Sequence, residues 1–121
     1  MTTLSTIIDE PPKKCDAAVI WMHGLGAHND DFASLIPELR AENALTSVRF
    51  VFPQAPMLPV TINHGMRMPA WYDIFGFAGD TRQDVAGIVK MQEIIANLIF
   101  KQIEWGIISQ RIIIMGFSQG A

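Results

Sequence analysis

Arg111-Ile-Ile-Ile-Met-Gly-Phe-Ser-Gln-Gly-Ala121 is the stretch that decides the fold. Ile112 to Met115 form a short apolar run bounded by a turn signal, as expected of a strand buried on both faces. The run passes without a break into Gly116-Phe-Ser118-Gln-Gly120, a G-x-S-x-G pattern. Residue frequencies alone produce such a pattern in roughly 3% of chains of this size, so its position matters. A strand before it and a helix after it would make Ser118 the apex of a tight strand-to-helix turn. Neighbouring backbone passes close by in such a turn, so side chains at Gly116 or Gly120 would clash. The plain alternative is a serine in an ordinary connection.

Working back from that stretch, Ala17-Ala-Val-Ile-Trp-Met22 is a second candidate for a buried strand and ends in His23-Gly-Leu-Gly26. Asn29-Asp-Asp31 supplies N-cap chemistry for a helix carrying Phe32, Leu35, Ile36 and Leu39 on one face. Pro37 forces that helix to kink or to restart with the proline in its first turn. Val48 to Phe52 reads as another buried strand, and Leu4 to Ile8 as a short edge strand before the turn Glu10-Pro-Pro-Lys-Lys14. Residues 53–79 are rich in proline and glycine and predict a long loop with little regular structure. Trp71, Tyr72, Phe75 and Phe77 argue against disorder there. Thr81-x-x-Asp84 reads as a capping box. Beyond it Val85, Ile88, Val89, Ile95, Leu98, Ile99 and Ile103 mark the apolar side of a helix ending near Gly106. Strands and helices alternate, which predicts an α/β fold with right-handed crossovers and a mainly parallel sheet flanked by helices.

Bulk properties narrow the classes. The chain has 121 residues, half of them hydrophobic and 17% charged, with a net charge of −3. No basic block is present, so nucleic-acid binding is not expected. The single cysteine, Cys15, excludes an internal disulfide and favours a reducing compartment; it reads as a packing or surface residue. The first twelve residues lack the charged and apolar regions of a signal peptide, and no apolar run could span a bilayer. A soluble, cytoplasmic protein is expected.

Ser118 is the candidate nucleophile. The turn His23-Gly-Leu-Gly26 follows a strand and can aim main-chain N–H groups inward, so Leu25 and Gln119 are candidate donors to an oxyanion. Reading Gly24-Leu-Gly-Ala-His-Asn29 as a dinucleotide fingerprint fails, because the last glycine of G-x-G-x-x-G is replaced by Asn29.

With these residues in place, the chain resembles the N-terminal half of the carboxylesterase and acyl-protein thioesterase family, also described as phospholipase/carboxylesterase. The stretches that carry the resemblance are Val19 to Gly26, Phe52-Pro-Gln-Ala-Pro56, Pro59 to Asn63, Met68 to Asp73 and Arg111 to Ala121, in the family's order and spacing. Ala121 departs, since the family commonly has glycine there. The resemblance implies an α/β-hydrolase fold, carboxylic ester or thioester substrates, and no metal or organic cofactor. Leu25 and Gln119 match the family's oxyanion hole. Gly24, Met68 and Trp71 would belong to the substrate-binding region, although for Met68 and Trp71 a core role competes evenly. A homodimer of the full-length form is left open.

A serine needs a base and an acid to orient that base. In α/β-hydrolases both follow the serine along the chain, and only three residues follow Ser118. Residues 1–121 therefore read as the N-terminal half of one α/β-hydrolase domain, truncated just after the nucleophile elbow. Alone they are expected to be unstable and inactive. His23 reads as a turn-shaping residue, His28 and His64 as solvated, and Asp73 as a loop-fixing acid. Runner-up readings are a dienelactone-type hydrolase and a non-catalytic binding module.

Overall fold

The computed structural model describes residues 4–79 and 81–121. Its main sheet has four strands: β1 (Thr6–Asp9), β2 (Ala17–Met22), β3 (Val48–Pro53) and, after an antiparallel hairpin of β4 (Met57–Val60) with β5 (Met66–Pro69), β6 (Ile112–Gly116). The order across the sheet is β1-β3-β2-β6. β2 runs parallel to both neighbours, and β1 adds antiparallel to β3 at one edge. This is the expected mainly parallel sheet.

Alternation along the central strands sends side chains to two cores. Val19, Phe50 and Phe52 pack with Ile36, Trp21 and Phe32 on one face. Met22 packs with Trp71, Met91, Ile94 and Ile95 on the other. Burying each large apolar side chain contributes about 1.5–3 kcal/mol, so these two layers dominate the stability of the sheet. The first layer rests on two one-turn helices, α1 (Asp30–Ala33) and α2 (Ile36–Leu39). Pro37 lies in the first turn of α2, so the helix restarts there rather than bending. Asn29 precedes α1 but makes no capping bond; its side-chain Nδ2 donates to the Phe52 carbonyl at 3.0 Å instead.

The second layer is α3 (Val85–Glu104). Its N-cap is Asp84, which accepts from the Gly87 amide; the expected capping box headed by Thr81 is displaced by one helical turn. Asp84 wins because its second oxygen also accepts from the Asp73 amide at 2.9 Å. The packed face shares Ile95 and Leu98 with the expected one and departs from it elsewhere. Met91, Ile94, Ile95 and Gln102 are buried, whereas Val85, Ile88, Val89 and Ile103 are exposed. Gln102 is buried beneath Arg49 of β3. Arg49 pairs with Glu10, donates to Gln102 Oε1 at 2.9 Å and stacks over Trp105, which fixes the end of the helix to the sheet.

Two further expectations fail. Residues 53–79 are not a structureless loop, since β4 and β5 pair within them. The turn between them places His64 and Gly65 at positive φ. And β6, expected to be buried on both faces, is among the described residues an edge strand, with Ile113 57% exposed.

Candidate active site

The site grows out of a pairing register. In the parallel pair β2–β6, Met22 lies opposite Gly116, and the Phe117 amide donates to the Met22 carbonyl at 3.1 Å. The residues that follow each strand, His23-Gly24 and Phe117-Ser118, therefore emerge side by side at the carboxyl end of the sheet, where open α/β sheets bind ligands.

Ser118 stands exposed at this end with φ +55°, a conformation that costs an L-residue about 1–2 kcal/mol. Strain of this kind collects at functional positions. The turn is closed by Gly120 and Ala121 amides donating back to Phe117 and Ser118 carbonyls, both at 3.0 Å. It can close only because two side chains are missing. A Cβ on Gly116 would fall on the Gly120 carbonyl, and one on Gly120 would lie 2.5 Å from the main-chain oxygens of Met22 and His23. The steric reading of both glycines holds.

The glycine turn lies against the serine. A Cβ on Gly24 would sit 3.4 Å from Ser118 Cβ. Gly24 to Ala27 form a β-turn in which the Ala27 amide donates to the Gly24 carbonyl at 3.2 Å, and Gly26 takes φ +74° as the third turn residue. The Gly26 amide is held by the Pro69 carbonyl at 2.8 Å. Among the described residues, the amide hydrogens of Leu25 and Gln119 and the Ser118 hydroxyl have no hydrogen-bond partner in the protein. Two main-chain donors without partners thus lie on the two turns that meet beside Ser118.

His23 cannot act as the base. It is buried, and both ring nitrogens are engaged. The Ala55 amide, which can only donate, meets Nε2 at 3.0 Å, so the ring proton lies on Nδ1 and is given to the Gly24 carbonyl at 2.7 Å. His28 is exposed beside Asp30, and His64 caps the short 3-10 turn Thr61–Asn63. Asp73 binds the Thr61 hydroxyl and amide. Desolvation pushes its carboxyl up, but the Thr61 side-chain and backbone bonds and the Ile74 amide outweigh this and hold it below the usual carboxylate range. It fixes the hairpin. No group of metal-binding side chains occurs among the described residues. Cys15 Sγ bonds the Ala17 carbonyl, away from this site.

Trp71 is only 3% exposed. Its indole donates to the His23 carbonyl at 2.7 Å and its ring packs on the imidazole. The buried Gln119 side chain accepts from the Trp71 amide at 3.0 Å and donates to the Tyr72 carbonyl at 2.7 Å, tying the elbow to this loop. Trp71 and Gln119 also line a cavity of about 310 Å³ with Met22, Tyr72 and Met91. Met68 is half-buried, its sulfur 3.8 Å from where a Gly26 Cβ would lie. One participant carried no role in the sequence reading: Gln54, whose carboxamide bonds His23, Ala27 and Asn29. Its signal was a polar side chain between two prolines directly after a buried strand.

A mostly parallel sheet that delivers a strained serine at its carboxyl end, opposite a glycine turn, defines an α/β-hydrolase. A profile of the phospholipase/carboxylesterase family matches residues 4–121, and the chain belongs to that family. It is similar to acyl-protein thioesterase 1 of Neurospora crassa, 44% identical over 109 residues that make up 86% of this chain and 44% of that protein. The Schizosaccharomyces pombe acyl-protein thioesterase 1 is 39% identical over 97% of this chain and 51% of its own. Among solved structures, Zea mays acyl-protein thioesterase 2 superimposes with a TM-score of 0.80 at 26% identity, covering 96% of this chain and 47% of that one. The chain spans about half the length of the relatives it matches.

Proposed function

We propose that residues 1–121 form the N-terminal half of a single α/β-hydrolase domain whose full-length form hydrolyses carboxylic esters or thioesters through an acyl-enzyme. The observation that carries this reading is the exposed Ser118 at φ +55° against the Gly24–Ala27 turn. Ser118 Oγ attacks the substrate carbonyl while a histidine from the other half of the domain, oriented by an acid, takes the hydroxyl proton and passes it to the departing alcohol or thiol. The amides of Leu25 and Gln119 hold the oxyanion. Collapse of the tetrahedral adduct expels the alcohol or thiol, and water then frees the acid and the serine. Each oxyanion donor is worth about 2.7–4 kcal/mol in the transition state.

The acyl group is assigned to the side of the turn formed by Gly24, Met68 and Trp71. Support comes from Met68 lying beside Gly26 and from Trp71 packing on His23, the residue before Gly24. The names of the relatives favour thioester-linked acyl groups as substrates. No cofactor is needed for this chemistry. Cytoplasmic residence is part of the proposal, supported by the lone cysteine; no helix among the described residues is long and apolar enough to cross a membrane. A homodimer of the full-length form is included, to be tested by sedimentation.

The test is a fluorophosphonate probe on the full-length protein. Mass spectrometry is expected to place the adduct on the peptide containing Ser118. An adduct elsewhere, or none in a folded protein, overturns the reading. Turnover of a lactone panel in preference to esters and thioesters would move the assignment to a dienelactone-type hydrolase.

A further inference from the structure

We infer that Gln54 is a positioning residue for the oxyanion hole, acting through His23 on the peptide that carries the Leu25 amide. The inference deepens the hydrolase reading and rests on it. Gln54 follows β3, and its own amide is tied to the Ser5 carbonyl at 2.7 Å, so its side chain starts from a fixed point. The carboxamide then crosses to the glycine turn. Its Oε1 accepts from the Asn29 amide at 2.9 Å, which leaves the Nε2 hydrogens for His23 Nε2 at 3.1 Å and the Ala27 carbonyl at 3.3 Å. That orientation is self-consistent, because the Asn29 amide can only donate and the Ala27 carbonyl can only accept.

The second link is the imidazole. Held at Nε2 by Gln54 and the Ala55 amide, it gives its Nδ1 proton to the Gly24 carbonyl. This carbonyl and the Leu25 N–H are two ends of one planar trans peptide. Fixing the oxygen therefore fixes the direction of the hydrogen, which points the opposite way. The Ala27 amide bonds the same oxygen, and Ala27 is itself held by Gln54. One carboxamide thus restrains the donor peptide through both of its carbonyl's partners while having no bond to Ser118.

The test uses the full-length hydrolase and Gln54→Met, which keeps the length of the side chain and removes its polar atoms. Positioning of a donor that acts only in the transition state predicts a fall in kcat of about tenfold or more with KM changed less than about twofold. Affinity for an alkyl boronic acid, whose tetrahedral adduct occupies the oxyanion hole, should fall by the same factor. A variant with unchanged kcat and boronic acid affinity, and only a lower Tm, overturns the inference. Should Gln54→Met not fold, Gln54→Glu retains the Asn29 contact and loses both donors; the same kcat loss is expected, and an unchanged kcat refutes the role. The ¹⁵N shifts of His23 in the unsubstituted protein decide independently. A proton on Nδ1 is expected, and a proton on Nε2 rules the linkage out. Failure of Ser118 to take a fluorophosphonate would remove the hydrolase reading instead, leaving the tautomer result to stand on its own.

Discussion

Trp71 donates its indole hydrogen to the main-chain oxygen of His23 at 2.7 Å, joining the end of β2 to a loop nearly fifty residues further along. The bond is buried, so removing its donor strands a carbonyl away from water. Trp71→Phe should lower the unfolding free energy of the full-length protein by about 1–3 kcal/mol. Urea denaturation measures this, and a midpoint equal to the unsubstituted protein's would show the carbonyl finding another donor.

The conformation of Ser118 separates two substitutions that abolish nucleophilicity equally. Ser118→Ala keeps a Cβ at φ +55° and Ser118→Gly removes it. The glycine variant should be more stable than the alanine variant by about 1 kcal/mol, since relief of left-handed strain exceeds glycine's entropic cost. Equal denaturation midpoints would mean the turn relaxes once the hydroxyl is gone.

Gly116 admits no methyl group, because the carbonyl of Gly120 occupies the space. Unlike a flexible side chain, backbone in a closed turn cannot step aside. Gly116→Ala is expected to cost about 3 kcal/mol or more and to abolish probe labelling of Ser118. Labelling at the normal rate would show the turn tolerates widening.

Asp73 gives an acid-sensitive contribution. Its carboxyl is held below the usual range in the folded state, so the charged form is favoured by folding. The associated stability is present above the unfolded value near 3.9 and is lost as pH falls through the lower folded value. Asp73→Asn should flatten the decline of Tm below about pH 4 while leaving a constant offset at neutral pH. A decline identical to that of the unsubstituted protein would assign it to other carboxylates.

Residues 1–121 expressed by themselves should bind a hydrophobic dye and release p-nitrophenol from its acetate no faster than the Ser118→Ala control. Ile113, Ile114 and Met115 of β6 and Phe117 after it are exposed, and no base bonds Ser118 among the described residues. A burst abolished by Ser118→Ala would contradict this.

The strands and the elbow were legible because their signals are local. A continuous apolar run marks β2, a mostly apolar run interrupted by Arg49 marks β3, and glycines two residues either side of Ser118 mark a crowded turn. Three features were not legible, each for a physical reason. The exposure of β6 depends on what lies beside it, which an isoleucine run cannot tell. The hairpin of β4 and β5 is hidden by Pro56, Pro59 and Pro69, residues that suit an edge ladder as well as a loop. The C-terminal end of α3 is tied to the sheet by Arg49 reaching across to Gln102 and Trp105, a polar contact invisible to hydrophobic periodicity. At the site, Leu25 could be placed from its glycine neighbours, whereas the role of Gln54 needed the distance to His23.

The pairing of Met22 with Gly116 acts as a ruler for the whole site. Among the described residues β6 is paired with β2 alone. Inserting one residue into β6 would reverse which side of the sheet each of its side chains faces and carry the hydroxyl away from the Leu25 amide. The chemistry is thus indexed by main-chain alignment between two strands, and a change of length there is more damaging than most changes of side chain.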